Sequence, residues 1–367
     1  MKIKLFNHKY IVAIYLVLLL ALLFVIYYFG FRTLQFNDFE YDSDTSYYSG
    51  LAMSFYDNKL NVFYESYDQG KIDFIDENSQ KTIDTVRTGG SICDGGIVYG
   101  KCPKQIGTEP NDKINLMLAE PDGKSEKMIC ENYKDSVVAK DKVFYADENY
   151  SVYVYDFQTE KTEKLFTPKE ELLHSLMLQK DSLYLNYRFY DYKESVYKAM
   201  IKTFDINTLK PKAECVFNID DFKLTFEYCL AAPCGDNVIF YGEGFDGAIY
   251  TVNVKSGVFK KLGDYNIGRL ITNKDAGYFF NNNYDSAGER VISKELWKLD
   301  INTGETKKIK DVHNRVDSFI CTDNYMYIYH DEYVFPYLVS LLEYPPLTDL
   351  VDMKRGYQIE QISIAED

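Results

Sequence analysis

Histidine is scarce in this chain of 367 residues: four in all, of which His174, His313 and His330 lie beyond the first ten positions. A triad hydrolase needs a histidine set against a nucleophile and oriented by an acid, and the G-x-S-x-G elbow that would present a serine is missing. H-E-x-x-H, paired C-x-x-C and Gly-rich phosphate loops are missing too, so zinc-protease and nucleotide chemistry have no motif to rest on. A single tryptophan, Trp297, leaves nothing for the tryptophan ring of a quinoprotein. Sialidase Asp-boxes and the EF-hand and nonapeptide calcium spacings are absent as well, although Asp147-Glu148-Asn149 and Asp331-Glu332 are acidic turns of the kind calcium uses. Accordingly no catalytic residue, cofactor or metal is assigned. Only nine prolines occur, and no low-complexity linker interrupts Gly50 to Asp367, which reads as one domain.

Cysteine is sparse and odd in number. Of seven, Cys93, Cys234 and Cys321 each precede an apolar run by the same four residues, so they occupy equivalent places in a repeat and read as small buried side chains. A chain without an even cysteine framework does not rely on disulfides.

Aromatics are abundant, with 34 tyrosines and 24 phenylalanines, residues that suit half-buried strands. The stretch Glu295 to Lys310 alternates as a strand, breaks at Asn302-Thr303-Gly304, and returns as a second strand. That break needs a residue tolerant of positive φ. The same hairpin recurs from Lys71, Ile114, Val152, Lys202 and Ala248. Before each hairpin comes a polar turn and an aromatic, β-branched run, anchored at Leu60, Ile97, Val143, Leu183, Val238, Tyr278 and Tyr325, with a mean spacing of about 44 residues. A further short apolar strand stands ahead of each run, as at Gly50 to Phe55, Asp135 to Ala139 and Ser318 to Cys321. Four short strands repeated every 40–50 residues predict an all-β chain, a β-propeller. Seven runs favour seven blades, with six possible. The last blade is irregular, its outer strands expected from Tyr337 to Tyr344 and Leu347 to Met353, with Tyr357 to Ile364 left over. Pro168 to Gln179 carries the one helical signal, expected as a connection between the third and fourth blades.

Charge separates the N-terminus from the rest. Residues 1–9 form a basic flank, and residues 10–31 are an uncharged apolar run long enough to span a bilayer as a helix. No cleavage site or lipobox follows, so the run predicts an uncleaved signal anchor. The positive-inside rule then places residues 1–9 in the cytoplasm and the C-terminal domain outside, on a single-pass cell-membrane protein. Residues 32–49 read as a spacer or a closing strand, and 50–367 as the propeller. The whole chain carries a formal charge of −15; residues 1–32 hold four basic and no acidic groups, so 33–367 carry −19. That field excludes nucleic acid and anionic lipid surfaces. Cationic peptides, metal ions and neutral ligands stay open.

Loops joining second to third strands pair an aromatic with an acid: Tyr67-Asp68, Tyr190-Asp191, Phe245-Asp246 and Tyr284-Asp285, with looser versions at Asn149-Tyr150 and Glu332-Tyr333. In a propeller such loops emerge on one face, where rings stack on sugars or cations and carboxylates bind donors. The same residues also close turns, with no ligand involved. Two of these connections are long, Gly100 to Lys113 and Asn281 to Lys294, and long loops often carry binding function.

Val143-Phe144-Tyr145-Ala146-Asp147 with Val152 to Phe166, and the Leu296 to Ile309 hairpin, resemble bacterial cell-surface propellers of unknown function, distantly like YWTD and TolB-type propellers. The resemblance covers Gly50 to Asp367 and implies fold; the YWTD tetrapeptide and Trp-Asp pairs are absent and Gly-Gly does not recur from repeat to repeat, so no site residue carries over. The expected function is a membrane-anchored extracytoplasmic binding or scaffolding module for an envelope protein, peptide or glycan. A loop-assembled enzyme (lyase, glycosidase or peptidase) and a structural subunit of a membrane assembly are the alternatives.

Overall fold

A computed structural model describes residues 15–22, 47–49, 53–56, 59–66, 71–75, 80–84, 88–101, 113–120, 125–219, 229–242, 247–273, 276–284, 291–312, 316–332 and 356–364. The chain divides into two compact units. One comprises Met1–Glu40, Arg315–Asp317 and Tyr327–Gln361, the other Tyr41–Asn314, Ser318–Met326 and Ile362–Asp367.

In the first unit, residues 15–22 are helical, with Tyr15, Leu16, Val17, Leu18, Leu19, Leu20 and Leu22 each 54–71% exposed. Among the described residues no helix is long and apolar enough to cross a membrane. The rest of the expected span 10–31 lies outside them. In the same unit Tyr327, Ile328 and Ile359 are buried, and Gln361 Nε2 donates to the Tyr327 hydroxyl at 3.1 Å.

The described strands form seven sheets, each with its strands in chain order, and the first six are antiparallel meanders. The second to sixth have four strands each. The fourth, for example, runs Leu172–Gln179, Ser182–Asp191, Val196–Asp205, Pro211–Asn218. First strands of successive sheets lie beside one another, as Asp135–Val138 does beside Leu172–Gln179, and Leu172–Gln179 beside Cys229–Cys234.

Second strands are buried on both faces, which explains their unbroken apolar runs. Lys142–Ala146 is buried at every position. Its Val143 and Tyr145 pack with Val98 and Leu116 of the second sheet. Phe144 and Ala146, pointing the other way, pack with Leu183, Leu185 and Tyr187 of the fourth. Tyr184 then meets Val238 and Phe240 of the fifth sheet, and Ile239 and Tyr241 meet Leu270 and Phe279 of the sixth. Phe280 and Phe319 continue the series with ring centroids 4.4 Å apart. Each fully buried Phe or Leu contributes about 1.5–3 kcal/mol, against about 0–1 for an exposed ion pair such as Lys255–Asp236. Sheet-on-sheet burial therefore dominates.

The third-to-fourth-strand turn is one construction repeated in the third to sixth sheets. An Asx residue starts it (Asp156, Asp205, Asn253, Asp300), and its side-chain Oδ1 accepts the backbone N–H of Thr159, Thr208, Ser256 and Thr303 at 2.7–3.0 Å. The next residue takes positive φ: Glu160 54°, Leu209 58°, Gly257 69°, Gly304 82°. The Asx-turn bond explains the Asp or Asn, and the left-handed position the glycines. Backbone N–H groups of Phe157, Ile206 and Val254 then donate to the carbonyls of Asp141, Asp181 and Asp236 at 2.8–3.1 Å. Those aspartates open the turn before each second strand, so the two turn families are tied together at one end of the sheet.

Three expectations are corrected. Pro168 to Gln179 is no helical connection: Leu172–Gln179 is the first strand of the fourth sheet. Leu176 and Met177 are buried in opposite cores, and two-sided burial removes the strand alternation that would have marked it. The strand Tyr47–Ser49, in the expected spacer, pairs with Met53–Tyr56 as a fifth strand of the first sheet and does not close the last. Gly356–Ser363, left over in the sequence reading, hydrogen-bonds beside Tyr325–Glu332 in the seventh sheet. The strands expected from Tyr337 to Tyr344 and Leu347 to Met353 lie outside the described residues.

Gly96, at φ 125°, opens the second strand of the second sheet, and a Cβ there would overlap the Ala119 carbonyl oxygen. Gly96→Ala is expected to cost at least ~2 kcal/mol in equilibrium urea unfolding. Gly277→Ala, whose Cβ would sit 3.5 Å from Ile239 Cδ1, is expected to change stability by less than ~1 kcal/mol.

Candidate functional site

Second strands end where the predicted aromatic–acid pairs lie. Tyr190 and Asp191 finish Ser182–Asp191, and Tyr284 finishes Ala276–Tyr284, at the same end of their sheets. Tyr67, Asp68, Phe245, Asp246 and Asp285 lie outside the described residues.

On the fourth sheet the hairpin is tight, with Tyr190 opposite Tyr197 and Asp191 opposite Val196. Asp191 Oδ1 accepts the N–H groups of Lys193 and Glu194 at 2.9 and 3.2 Å. Its Oδ2 pairs with Lys198 Nζ at 2.8 Å, and Lys198 also pairs with Glu194 at 2.8 Å. The Lys198 bond, then the turn N–H groups, hold the Asp191 carboxyl below the usual range. Asp191 therefore closes the turn. The rings are what it presents outward: Tyr190, Tyr192 and Tyr197 are 37%, 83% and 42% exposed. Tyr190 meets Tyr192 and Tyr197 edge to face, with centroids 5.1 and 4.9 Å apart.

One expected loop is shorter than it reads. Asn281 to Tyr284 and Val291 to Lys294 are paired strand, so the long connection on the sixth sheet narrows to residues 285–290. Gly100 and Lys101 end the strand Gly96–Lys101, and residues 102–112 lie outside the described residues. Of the looser pairs, Tyr150 sits at φ 60° in a turn whose N–H groups bond Asp147 Oδ1, packs against the third and fourth sheets, and gives its carbonyl to the Tyr187 hydroxyl at 2.8 Å. It is a packing residue. Among the described residues no three His, Cys, Asp or Glu gather to hold a metal. Cys93, Cys234 and Cys321 are buried thiols outside any disulfide, at the ends of first strands, as their spacing implied. Burial pushes the Cys93 thiol up to about 12, far from reactivity.

Sequence reasoning missed a buried polar group on the first and second strands of the fourth sheet and beside them. His174 is the extra residue in a bulge between Leu173 and Ser175. Asn186, fully buried, donates through Nδ2 to Ser175 Oγ at 3.3 Å. Arg188, 2% exposed, donates to the Cys229 carbonyl of the fifth sheet. His174 Nδ1 and Asn186 Oδ1 are buried without a hydrogen-bond partner. Burial, then the Arg188 charge, lowers His174 to about 4, so it is neutral at pH 7. The next first strand supplies Asp135, whose Oδ2 accepts the Leu176 N–H at 2.5 Å and Oδ1 its own neighbour Ser136 at 2.8 Å. Burial raises its carboxyl to about 6 against those bonds. The one available signal was the run L-Y-L-N-Y-R-F-Y, where Asn186 and Arg188 interrupt an otherwise apolar strand.

Consecutive four-stranded meanders packed face to face define a β-propeller. The propeller domain of the trilobed protease from Pyrococcus furiosus is similar at 13% identity and TM-score 0.50, over 86% of this chain and 95% of that one. At that identity the likeness shows fold alone. TolB from Acinetobacter baumannii is similar at 14% identity and TM-score 0.40, over 74% and 73% of the two chains. An acylaminoacyl peptidase from Pyrococcus horikoshii matches at 14% and TM-score 0.46, over 64% of this chain; the chain spans 41% of that peptidase. No family model and no curated protein matches the sequence.

Asp135 generates a pH prediction. The folded chain keeps its proton to about pH 6, against about 4 for an unfolded aspartate, so the folded state binds more protons between those values. The contribution is present at low pH and is lost as pH rises through 6. Asp135→Asn keeps an acceptor for Leu176 without the charge. Its melting temperature should exceed that of the parent by several degrees at pH 8 and converge with it only below about pH 4, under the unfolded pKa.

Proposed function

We propose that this chain is a membrane-anchored, extracytoplasmic propeller of seven blades that binds or scaffolds an envelope protein, peptide or glycan. Its seven sheets in chain order support the blade count. The uncharged run 10–31 behind a basic flank supports the anchor, with residues 1–9 cytoplasmic. Binding is assigned to the face formed by Tyr67, Asp68, Tyr190, Asp191, Phe245, Asp246, Tyr284 and Asp285. The observation that carries this is the exposed tyrosine hairpin: a strand end that spends its acid on closing its own turn and holds its rings out to solvent. A rigid stack of sheets gives loops fixed positions around one site, which favours recognition.

The enzyme alternative rests on Asp135 and His174, two groups moved toward neutrality on neighbouring first strands. Both Asp135 oxygens already accept backbone N–H groups, which favours a clamp between the third and fourth sheets over a general acid.

Two experiments test the reading. Full-length protein cross-linked in its membrane should co-purify with a stoichiometric partner, and Ala at Tyr190, Asp191, Tyr284 and Asp285 together should lose it while circular dichroism is unchanged. Retention of the partner by that variant would remove the assignment of the face. Separately, the full chain should resist sodium carbonate extraction and a chain lacking residues 10–31 should not; equal extraction would dismiss the anchor.

A further inference from the structure

We propose that the tyrosine hairpin of the fourth sheet takes a basic segment of a partner polypeptide, seating Lys or Arg side chains on the rings of Tyr192 and Tyr197. The inference rests on the binding face proposed above and names the chemistry of its ligand.

Ring geometry is the first ground. Tyr190 is the wedge, contacted edge to face on both sides, and this holds the outer two rings apart as a platform. Tyr192 is 83% exposed, and among the described residues its ring meets that of Tyr190. Three adjacent tyrosine rings, each more than a third exposed, make one aromatic patch on the surface. Charge is the second ground. The chain carries −15, a field that draws cations and repels anions. Asp191 and Glu194 are both engaged by Lys198, so the local carboxylates are already paired. That leaves the faces of the rings as the means of holding an incoming cation. The third ground is the molecule's own habit. Lys127 lies 5.4 Å from the ring centre of Tyr155, Lys164 5.1 Å from Tyr153, and Lys202 4.7 Å from Phe166. Lysine over an aromatic ring is thus how these sheets stitch their own surfaces, and among the described residues no lysine lies over the Tyr192 ring.

Fluorescein-labelled hexa-arginine is the probe, titrated by anisotropy against the full chain in non-ionic detergent, with labelled hexa-glutamine and cellohexaose as neutral comparators. Binding of hexa-arginine should weaken with salt between 50 and 300 mM NaCl. Tyr192→Ala should weaken it about 2- to 5-fold, and Tyr192→Ala with Tyr197→Ala about 5- to 25-fold, at unchanged net charge. The matching Phe substitutions keep the rings and should restore affinity. Equal affinity in the Ala variants would show attraction by net charge alone and overturn the proposal. Salt-independent binding of cellohexaose, lost in the Ala variants, would overturn it in favour of a glycan. If the membrane partner is lost with the four-residue loop variant while hexa-arginine ignores the tyrosines, this inference falls and the binding face stands. If hexa-arginine needs the tyrosines and no partner co-purifies, the envelope partner falls and the cation site stands.

Discussion

A four-stranded meander has two broad faces and can hide neither alone. Everything else in this protein depends on that fact. Each second strand must be apolar on both sides, because a neighbouring sheet covers each side. Val143 and Tyr145 turn one way, Phe144 and Ala146 the other, and all four are buried. The same division recurs at Tyr184 and Leu185, and at Phe240 and Tyr241. Each core is shared by two sheets, so removing one sheet would expose the faces of both its neighbours.

Two-sided burial pushes polar chemistry to the ends of strands, where side chains clear the adjacent sheet. One end is consumed by architecture. There the Asx turns and the aspartates before each second strand bond to one another through Phe157, Ile206 and Val254. The other end carries Asp191, Tyr190, Tyr192 and Tyr197 on the fourth sheet and Tyr284 on the sixth. Three of the polar residues held inside or half-inside, Asn186, Arg188 and Asp135, are used across strands and seams: to Ser175, to the Cys229 carbonyl and to the Leu176 N–H. They connect neighbouring strands where apolar contact gives no directional constraint.

The hairpins were legible because their signals are local. An Asx residue, a Thr or Ser three positions on, and a left-handed residue after it, glycine in two of the four turns, are fixed by bonds within six residues, and Asn302-Thr303-Gly304 behaves as its sequence reads. Cys93, Cys234 and Cys321 were legible for a related reason, since equal spacing from a strand start puts them at equal depth. First strands were less so. Leu172–Gln179 borrows a helical look from its leucines, because burial on both faces removes the period of two. At Asp191 the residue was right and the role was narrower than its chemistry allows, because Lys198, seven positions away, occupies the carboxylate.

The sequence by itself determined the repeat, the strand type, the turn chemistry and the acidic charge, all of which depend on residues near in chain or on composition alone. Tertiary structure decided the rest. It chose which strand lies against which sheet, and so placed Gly356–Ser363 beside Tyr325–Glu332 and Tyr47–Ser49 beside Met53–Tyr56. It decided that Tyr150 is packed while Tyr192 is open, though both lie in turns closed by an aspartate, Asp147 and Asp191. It also brought Asp135 against Leu176, 41 residues on, and moved its carboxyl to about 6. Burial and long-range contact set these outcomes, and neither is a property of a residue's neighbours in the chain.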